Sequence, residues 1–418
     1  MSTPQNLHNL APANTAKQTW VLFCAVVDNF GDMGVCWRLA RQLVSEHNLE
    51  VALFVDDFSA MAQFLALGTG DSVDSLEFEG VSIIHWQDSD SSDAQLRHWV
   101  SGAAVLIEAF ACHLPETAQL LMAEQADPPV WLNLEYLSAE SWPDDCHGLP
   151  SMISIGLPNG QSVQRSKYFF FPGYSAATGG LLREKGVVAQ HCRWQSRIEL
   201  SRRQFLSDMG GVQASSAELW LSVFSYPAPS LLGVLQAMAE QEQATHCFIP
   251  LGRALQGLEG LLGSAAIAQP GSHSIGRLTV HIIPFLSQSD YDRLLSVCDF
   301  NIVRGEDSFV RAQWAGRPFL WHIYPQEEGV HMDKLEAFLE RMGEGLAETG
   351  DRELYALLAN MWRKWNLDED CADLWHHLRP QLPQLQDLAV QWRTTLLQLP
   401  DLSTNLLQFC REHESASI

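Results

Sequence analysis

The stretch WVLFCAVVDNFGDMGVCWRLARQL occupies residues 20–43. Trp20 to Val27 is an unbroken apolar run rich in valine and aromatics, the composition of a strand buried on both faces. Polarity then changes abruptly through Asp28, Asn29, Phe30, Gly31, Asp32, Met33 and Gly34. Beyond Gly34, Val35, Leu39 and Leu43 recur at helical spacing, with Arg38 and Arg41 between them. A buried strand, a glycine-containing loop and a helix in succession make the first half of a βαβ unit. The loop is not the GxGxxG of dinucleotide binders, because it offers two carboxylates four residues apart. Gly31 and Gly34 allow a tight turn and close backbone approach. Asp32 by itself is also accounted for as a first-turn or capping residue. Asp28 stands at the strand end, where ligand-facing residues collect, and the pair of acids suits a cationic or proton-donating substrate.

The same alternation continues outward. Residues 50–57, 80–86, 104–110 and 129–137 read as buried strands, with helix-like segments at 34–46, 58–66, 92–100 and 115–125. After a Gly-, Ser- and aromatic-rich stretch at about 150–185, a second block repeats the pattern. Its strands are 219–226, 245–251, 278–286, 298–306 and 317–325, and its helices include 229–242, 288–297 and 308–315. From about 332 onward the chain reads as helical, with many Trp and Leu. Two α/β domains follow, each a parallel sheet covered by helices on both faces, with ligand-binding loops after the strands. At 418 residues, two domains is also the expectation from length.

Composition narrows the class. The formal charge of −24 argues against non-specific nucleic-acid binding. No apolar run reaches the ~18 residues a membrane span needs, and the polar first residues carry no secretory h-region. The nine cysteines are scattered, without a CxxC pair, as free thiols in a reducing cytoplasm would be. No HxxxH, GxSxG or GxxxxGK[ST] pattern is present, so neither a metal nor a P-loop mechanism is expected.

Other stretches carry chemistry. In DFNIVRGEDSFVRAQWAGRPFLWHIYPQ (299–326) a strand ends and Arg304, Gly305, Glu306, Asp307 and Ser308 open a helix. Its free N–H groups and Arg304 suit a diphosphate, and a plain capped βα junction is the alternative. Glu306 beside a phosphate is costly unless it meets a hydroxyl, a cation or another donor. Phe224, Tyr226, Phe285 and Tyr291 lie at strand ends, either as core or as platforms for a nucleobase. Ser287 and Gln288 follow Phe285 in a less core-like loop. The segment 167–184 is left open between an interdomain hinge and a substrate loop.

Taken together, VVDNFGDMGVCWRLARQL (26–43), FFFPGYSAATGGLLRE (169–184) and RGEDSFVRAQWAGRPFLWHIYPQ (304–326) resemble the EarP family of bacterial protein-arginine rhamnosyltransferases, over roughly 18–410. The resemblance implies a GT-B fold, two Rossmann-like lobes facing each other across a cleft. It implies transfer of L-rhamnose from dTDP-β-L-rhamnose to an arginine of elongation factor P, with inversion and without metal or other cofactor. On the matching positions it implies Asp28, Asp32 and Glu306 as catalytic residues. It implies donor binding by Phe224, Tyr226, Phe285, Gln288, Tyr291, Arg304, Asp307 and Ser308, and loop backbone contributions from Asn29, Phe30, Gly31 and Gly34. The expected division is a flexible tail (1–18), an acceptor lobe (19–165), an interdomain segment (166–185), a nucleotide-sugar lobe (186–375) and C-terminal helices (376–418) returning to the first lobe. The competing readings are a GT-B enzyme with another acceptor or nucleotide sugar, and a non-catalytic module that docks on a translation factor.

Overall fold

The all-apolar strands TWVLFC, VWLNL and LWLSV have nearly every residue buried, so both faces of their sheets are covered. The computed structural model describes residues 17–25, 31–65, 75–86, 94–210, 212–346 and 351–414. In the first lobe β1 (Thr19–Cys24) leads to α1 (Gly31–His47), β2 (Glu50–Val55), α2 (Phe58–Phe64), β3 (Ser75–Phe78) and β4 (Val81–His85). Next come α3 (Ala94–Gly102), β5 (Ala103–Ala109), α4 (Glu116–Glu124), β6 (Val130–Leu134), α5 (Trp142–Cys146), β7 (Pro150–Gly156) and β8 (Ser162–Phe170). These strands form one sheet in the order β3-β4-β2-β1-β5-β6-β8-β7. Its inner strands are parallel, with an antiparallel pair at each edge.

The second lobe begins with α6 (Val187–Ser196) and α7 (Ile198–Asp208), then β9 (Leu219–Val223), α8 (Pro229–Glu240), β10 (Thr245–Pro250) and α9 (Glu259–Leu262). It continues through β11 (Gly271–Ile275), β12 (Leu278–Ile283), α10 (Gln288–Val297), β13 (Phe300–Arg304), α11 (Asp307–Ala315) and β14 (Phe319–His322). The sheet order is β11-β12-β10-β9-β13-β14, parallel except for β11. The chain ends in α12 (Val330–Leu346), α13 (Arg352–Asn366), α14 (Ala372–Leu378), α15 (Leu382–Leu396) and α16 (Leu402–Glu414). Two Rossmann-like lobes facing each other make this a GT-B fold. Among the described residues no helix is long and apolar enough to cross a membrane.

The stretch at 150–185 is two structures. Its first part is the β7–β8 hairpin at the sheet edge, where one side faces solvent and polar residues alternate with half-buried ones. Parallel βα alternation does not announce such an antiparallel edge, and the same holds for β3 and β11. The second part runs between the lobes and is tied to both: on the first-lobe side Gln42 Nε2 of α1 donates to Arg183 O (2.9 Å), and on the other side it meets α11. Leu182 O accepts a hydrogen bond from Trp314 Nε1 (2.8 Å), and Gln313 donates to the Tyr174 hydroxyl (2.9 Å).

The C-terminal helices divide between the lobes. Trp362, Trp365, Trp375 and Trp392 from α13, α14 and α15 fill the core of the second lobe. Burying side chains of this size contributes at least the ~1.5–3 kcal/mol typical of a large apolar residue. The return to the first lobe comes later than residue 376. Among the described residues it is α16 that packs there, through Leu402, Leu406, Leu407 and Cys410 against the core under β1.

Candidate functional site

The C-terminal edges of both sheets face the cleft. Cys24, the last residue of β1, is level with Ala109 of β5 and Val55 of β2. Across the cleft Val223 of β9 is level with Ile302 of β13, whose last residue is Arg304. The loops leaving these ends meet at a pocket lined by Gly31 and Phe64 from the first lobe. From the second lobe Phe224, Pro250, Phe285, Leu286, Gln288, Tyr291, Arg304, Gly305, Asp307 and Ser308 line it. It holds about 640 Å³ of empty space, open solvent included. Strand-end pockets of this kind are where open α/β sheets hold ligands.

Arg304 is fixed by two rings, its guanidinium carbon lying 4.6 Å from the centroid of Phe224 and 4.8 Å from that of Tyr226. Tyr226 is itself buried and packs edge-on against His322, 5.2 Å between centroids, so it supports Arg304 from beneath and does not line the pocket. Tyr291 meets Phe224 edge to face at 5.5 Å. Ser308 bonds back to the Arg304 carbonyl one helical turn earlier. Gln288 presents a buried Oε1 that accepts no hydrogen bond among the described residues.

A buried ionic clasp closes the floor of the cleft. Arg38 of α1 is 2% exposed, and its guanidinium reaches across to the second lobe. Nη1 and Nη2 donate to Asp292 of α10 at 3.1 and 3.0 Å, and Nε donates to Asp307 of α11 at 2.7 Å. Arg311 grips the other side of Asp292 at 3.0 and 2.7 Å and also pairs with Glu184 of the interlobe segment. Burial alone would raise the Asp292 carboxyl, but the Arg311 and Arg38 guanidiniums outweigh it and hold it at about 2. Gln288 Nε2 bridges Asp307 and the carbonyl of Gly34, each at 3.1 Å. A Cβ on Gly34 would sit 3.2–3.3 Å from Asp307 and Gln288, so glycine is what lets α1 approach α11 this closely. Gly316 ends α11 at φ 60°, and a Cβ there would meet the Arg393 guanidinium at 2.7 Å.

The acids gather beside this floor. Asp32 lies in the first turn of α1, where a negative charge complements the helix dipole, and is 3% exposed. Burial raises the Tyr136 hydroxyl, and the nearby negative charges of Asp32 and Glu306 add to it. Glu306 takes the N-cap position of α11, and its Oε2 accepts from the backbone N–H of Leu137 at 2.9 Å. Burial raises Glu306 to about 8, opposed by that N–H and assisted by the negative charges of Asp32 and Asp307. Asp32 and Glu306 therefore come from opposite lobes to within electrostatic reach of each other.

Of the residues singled out from sequence, Asp28, Asn29 and Phe30 lie outside the described residues. Phe224, Phe285, Gln288, Tyr291, Arg304, Asp307, Ser308 and Gly31 meet at the pocket. Asp32 and Glu306 flank it, and Gly34 backs it. The segment 167–184 contributes no lining residue. Asp307 is more than a pocket residue, since its carboxylate is the anchor for Arg38. Sequence reasoning missed Arg38, Asp292, Arg311 and Tyr136. Arg38 had a signal: it sits four residues after Gly34 and four before Gln42, on the stripe of α1 that faces inward.

Comparison with known proteins agrees with this architecture. A profile of the family described as Elongation-Factor P (EF-P) rhamnosyltransferase EarP matches residues 20–411. The protein-arginine rhamnosyltransferase of Pseudomonas putida is 45% identical over 397 residues, covering 94% of this chain and 99% of the relative. That of Pseudomonas aeruginosa is 43% identical over 394 residues, covering 94% and 98%. A solved structure described as "Structural basis for EarP-mediated arginine glycosylation of translation elongation factor EF-P" superposes with a TM-score of 0.63 at 33% identity, covering 95% of this chain and 99% of that one. With a profile match across nearly its whole length and relatives well above 40% identity, the chain belongs to the EarP family of protein-arginine rhamnosyltransferases.

Proposed function

We propose that this protein moves L-rhamnose from dTDP-β-L-rhamnose to one arginine side chain of elongation factor P, by a single inverting displacement that needs no metal. The observation that carries the reading is the pairing of Asp32 and Glu306 across the cleft, beside an aromatic pocket that ends in Arg304 and a helix N-terminus.

A guanidinium is permanently charged, and its nitrogen attacks only as a proton leaves. Asp32 takes that proton, and Asp28 orients the planar fork. The nitrogen forms its bond to the anomeric carbon while the bond from that carbon to the diphosphate oxygen breaks. The product guanidinium is again cationic, and dTDP leaves with the electron pair. Arg304 and the N-terminus of α11 stabilise the growing charge on the diphosphate. The carboxylate of Asp307 does not oppose this, because Arg38 and Gln288 already engage it. Phe285, half-buried at the mouth, offers its face to the thymine.

Incubating the protein with elongation factor P and dTDP-rhamnose and weighing the product tests the reading. A gain of one deoxyhexosyl mass, localised to arginine, supports it, and an unchanged acceptor mass ends it. Phe285→Ala should weaken dTDP binding about tenfold or more in calorimetry, since an aromatic stacked on a base contributes ~1–3 kcal/mol. Unchanged affinity would remove Phe285 from the base site.

Glu306 makes acceptor binding proton-linked. Its carboxyl is raised to about 8, so at pH 7 the free protein holds a proton there. A bound guanidinium favours the ionised form and expels that proton. Acceptor affinity should therefore rise with pH up to about 8. Calorimetry at pH 7 in buffers of different ionisation heat should show proton release, which Glu306→Gln abolishes. Equal heats across buffers for the parent protein would contradict the assignment.

A further inference from the structure

The short segment that follows β6 is bonded to Glu306 and lies beside Asp32. The Leu137 N–H donates to Glu306 at 2.9 Å, and one residue earlier the Tyr136 hydroxyl is close enough to Asp32 and Glu306 to feel both negative charges. Tyr136 thus stands where the two lobes bring their carboxylates together, and it is 37% exposed. Phe110 stacks on that ring with 4.4 Å between centroids and 19° between planes, which covers one face. A ring packed that closely leaves no room for a cation on its own side. Lys334 Nζ, 6.0 Å from the Tyr136 centroid, therefore marks the other face.

The support beneath Tyr136 is held in an unfavourable backbone shape. Phe110, Ala111 and His113 all adopt left-handed φ values, 57°, 54° and 57°. Such conformations cost of order 1–3 kcal/mol each and persist where the surroundings enforce them, typically at functional sites. Here the enforcement is visible. The Phe110 N–H donates to Leu134 O (2.7 Å), the Ala111 N–H to Asn133 Oδ1 (3.1 Å) and the Leu114 N–H to buried Glu108 (3.1 Å). The turn at the end of β5 is bent and pinned so that Phe110 lies under Tyr136.

We propose that Tyr136 is the acceptor platform: the face of its ring turned away from Phe110 receives the target guanidinium by cation–π stacking, beside Asp32 and Glu306. The proposal rests on the arginine acceptor argued above and adds the residue that receives it. Arginine is favoured over lysine on such a surface, because its planar, weakly hydrated cation stacks on a ring. Lys334 keeps the face occupied by positive charge until the acceptor arrives.

Steady-state kinetics with elongation factor P as varied substrate, together with dTDP affinity by calorimetry, tests this for Tyr136→Phe and Tyr136→Leu. Tyr136→Phe keeps the ring and should leave the acceptor KM within about twofold of the parent. Tyr136→Leu loses the ring and should raise the acceptor KM about tenfold, within the range of a cation–π contact. Both should bind dTDP like the parent protein, which also reports that they are folded. Equal acceptor KM in the two variants overturns the platform. Failure of the parent protein to modify the arginine acceptor overturns the broader reading and this one together.

Discussion

Asp32→Asn should lower kcat by about 10²–10⁴-fold, the usual contribution of a positioned general base, with dTDP affinity within about threefold of the parent. The asymmetry follows from placement. Asp32 comes from the first turn of α1, whereas the nucleotide pocket is built mainly from the ends of β9, β10, β12 and β13. Asparagine keeps the volume, so the local packing survives and only the proton acceptor is lost. Single-turnover rates with dTDP-rhamnose and elongation factor P measure the effect directly. A collapse of donor binding would mean that Asp32 serves the nucleotide and not the acceptor.

Arg38→Met carries the largest expected effect on stability, about 3–5 kcal/mol, because removing one partner of a buried ion pair strands the other. Asp292 keeps Arg311, but Asp307 loses the guanidinium that pairs with it directly and retains the neutral Gln288 as its hydrogen-bond partner. Burial already raises the Asp307 carboxyl even with Arg38 beside it. Without Arg38 it rises further, so the cost of its charge is present above that raised value and fades as pH falls through it. Urea denaturation should therefore show a larger deficit at pH 8 than at pH 5. A loss below about 1 kcal/mol at both values would show that the clasp is not held dry.

The clasp also shows where sequence reading stopped. The βα alternation was legible because buried parallel strands such as TWVLFC are apolar throughout, and because helices such as 288–297 keep a clean apolar stripe. Edge strands β3, β7, β8 and β11 were not, since one face is wet and their pattern blurs into loop. Arg304, Glu306 and Asp307 were visible as an odd charge cluster at a strand end. Their partners were not. Arg38 lies 254 residues from Asp292 and 269 from Asp307, and a lone arginine in an amphipathic helix reads as surface. Tyr136 closed an apolar run that looked like strand core, and only the fold shows that β6 ends at Leu134 and turns Tyr136 toward Asp32.

The reading turns on one spatial relation, the sugar of the donor lying between Arg304 and the acids. A crystal structure with a non-transferable dTDP-β-L-rhamnose analogue tests it most directly. The expected result is the diphosphate on Arg304 and the N-terminus of α11, the thymine against Phe285, and the anomeric carbon facing Asp32 with room for one guanidinium between them. An anomeric carbon turned away from Asp32, or a diphosphate bound elsewhere than the end of β13, would contradict it.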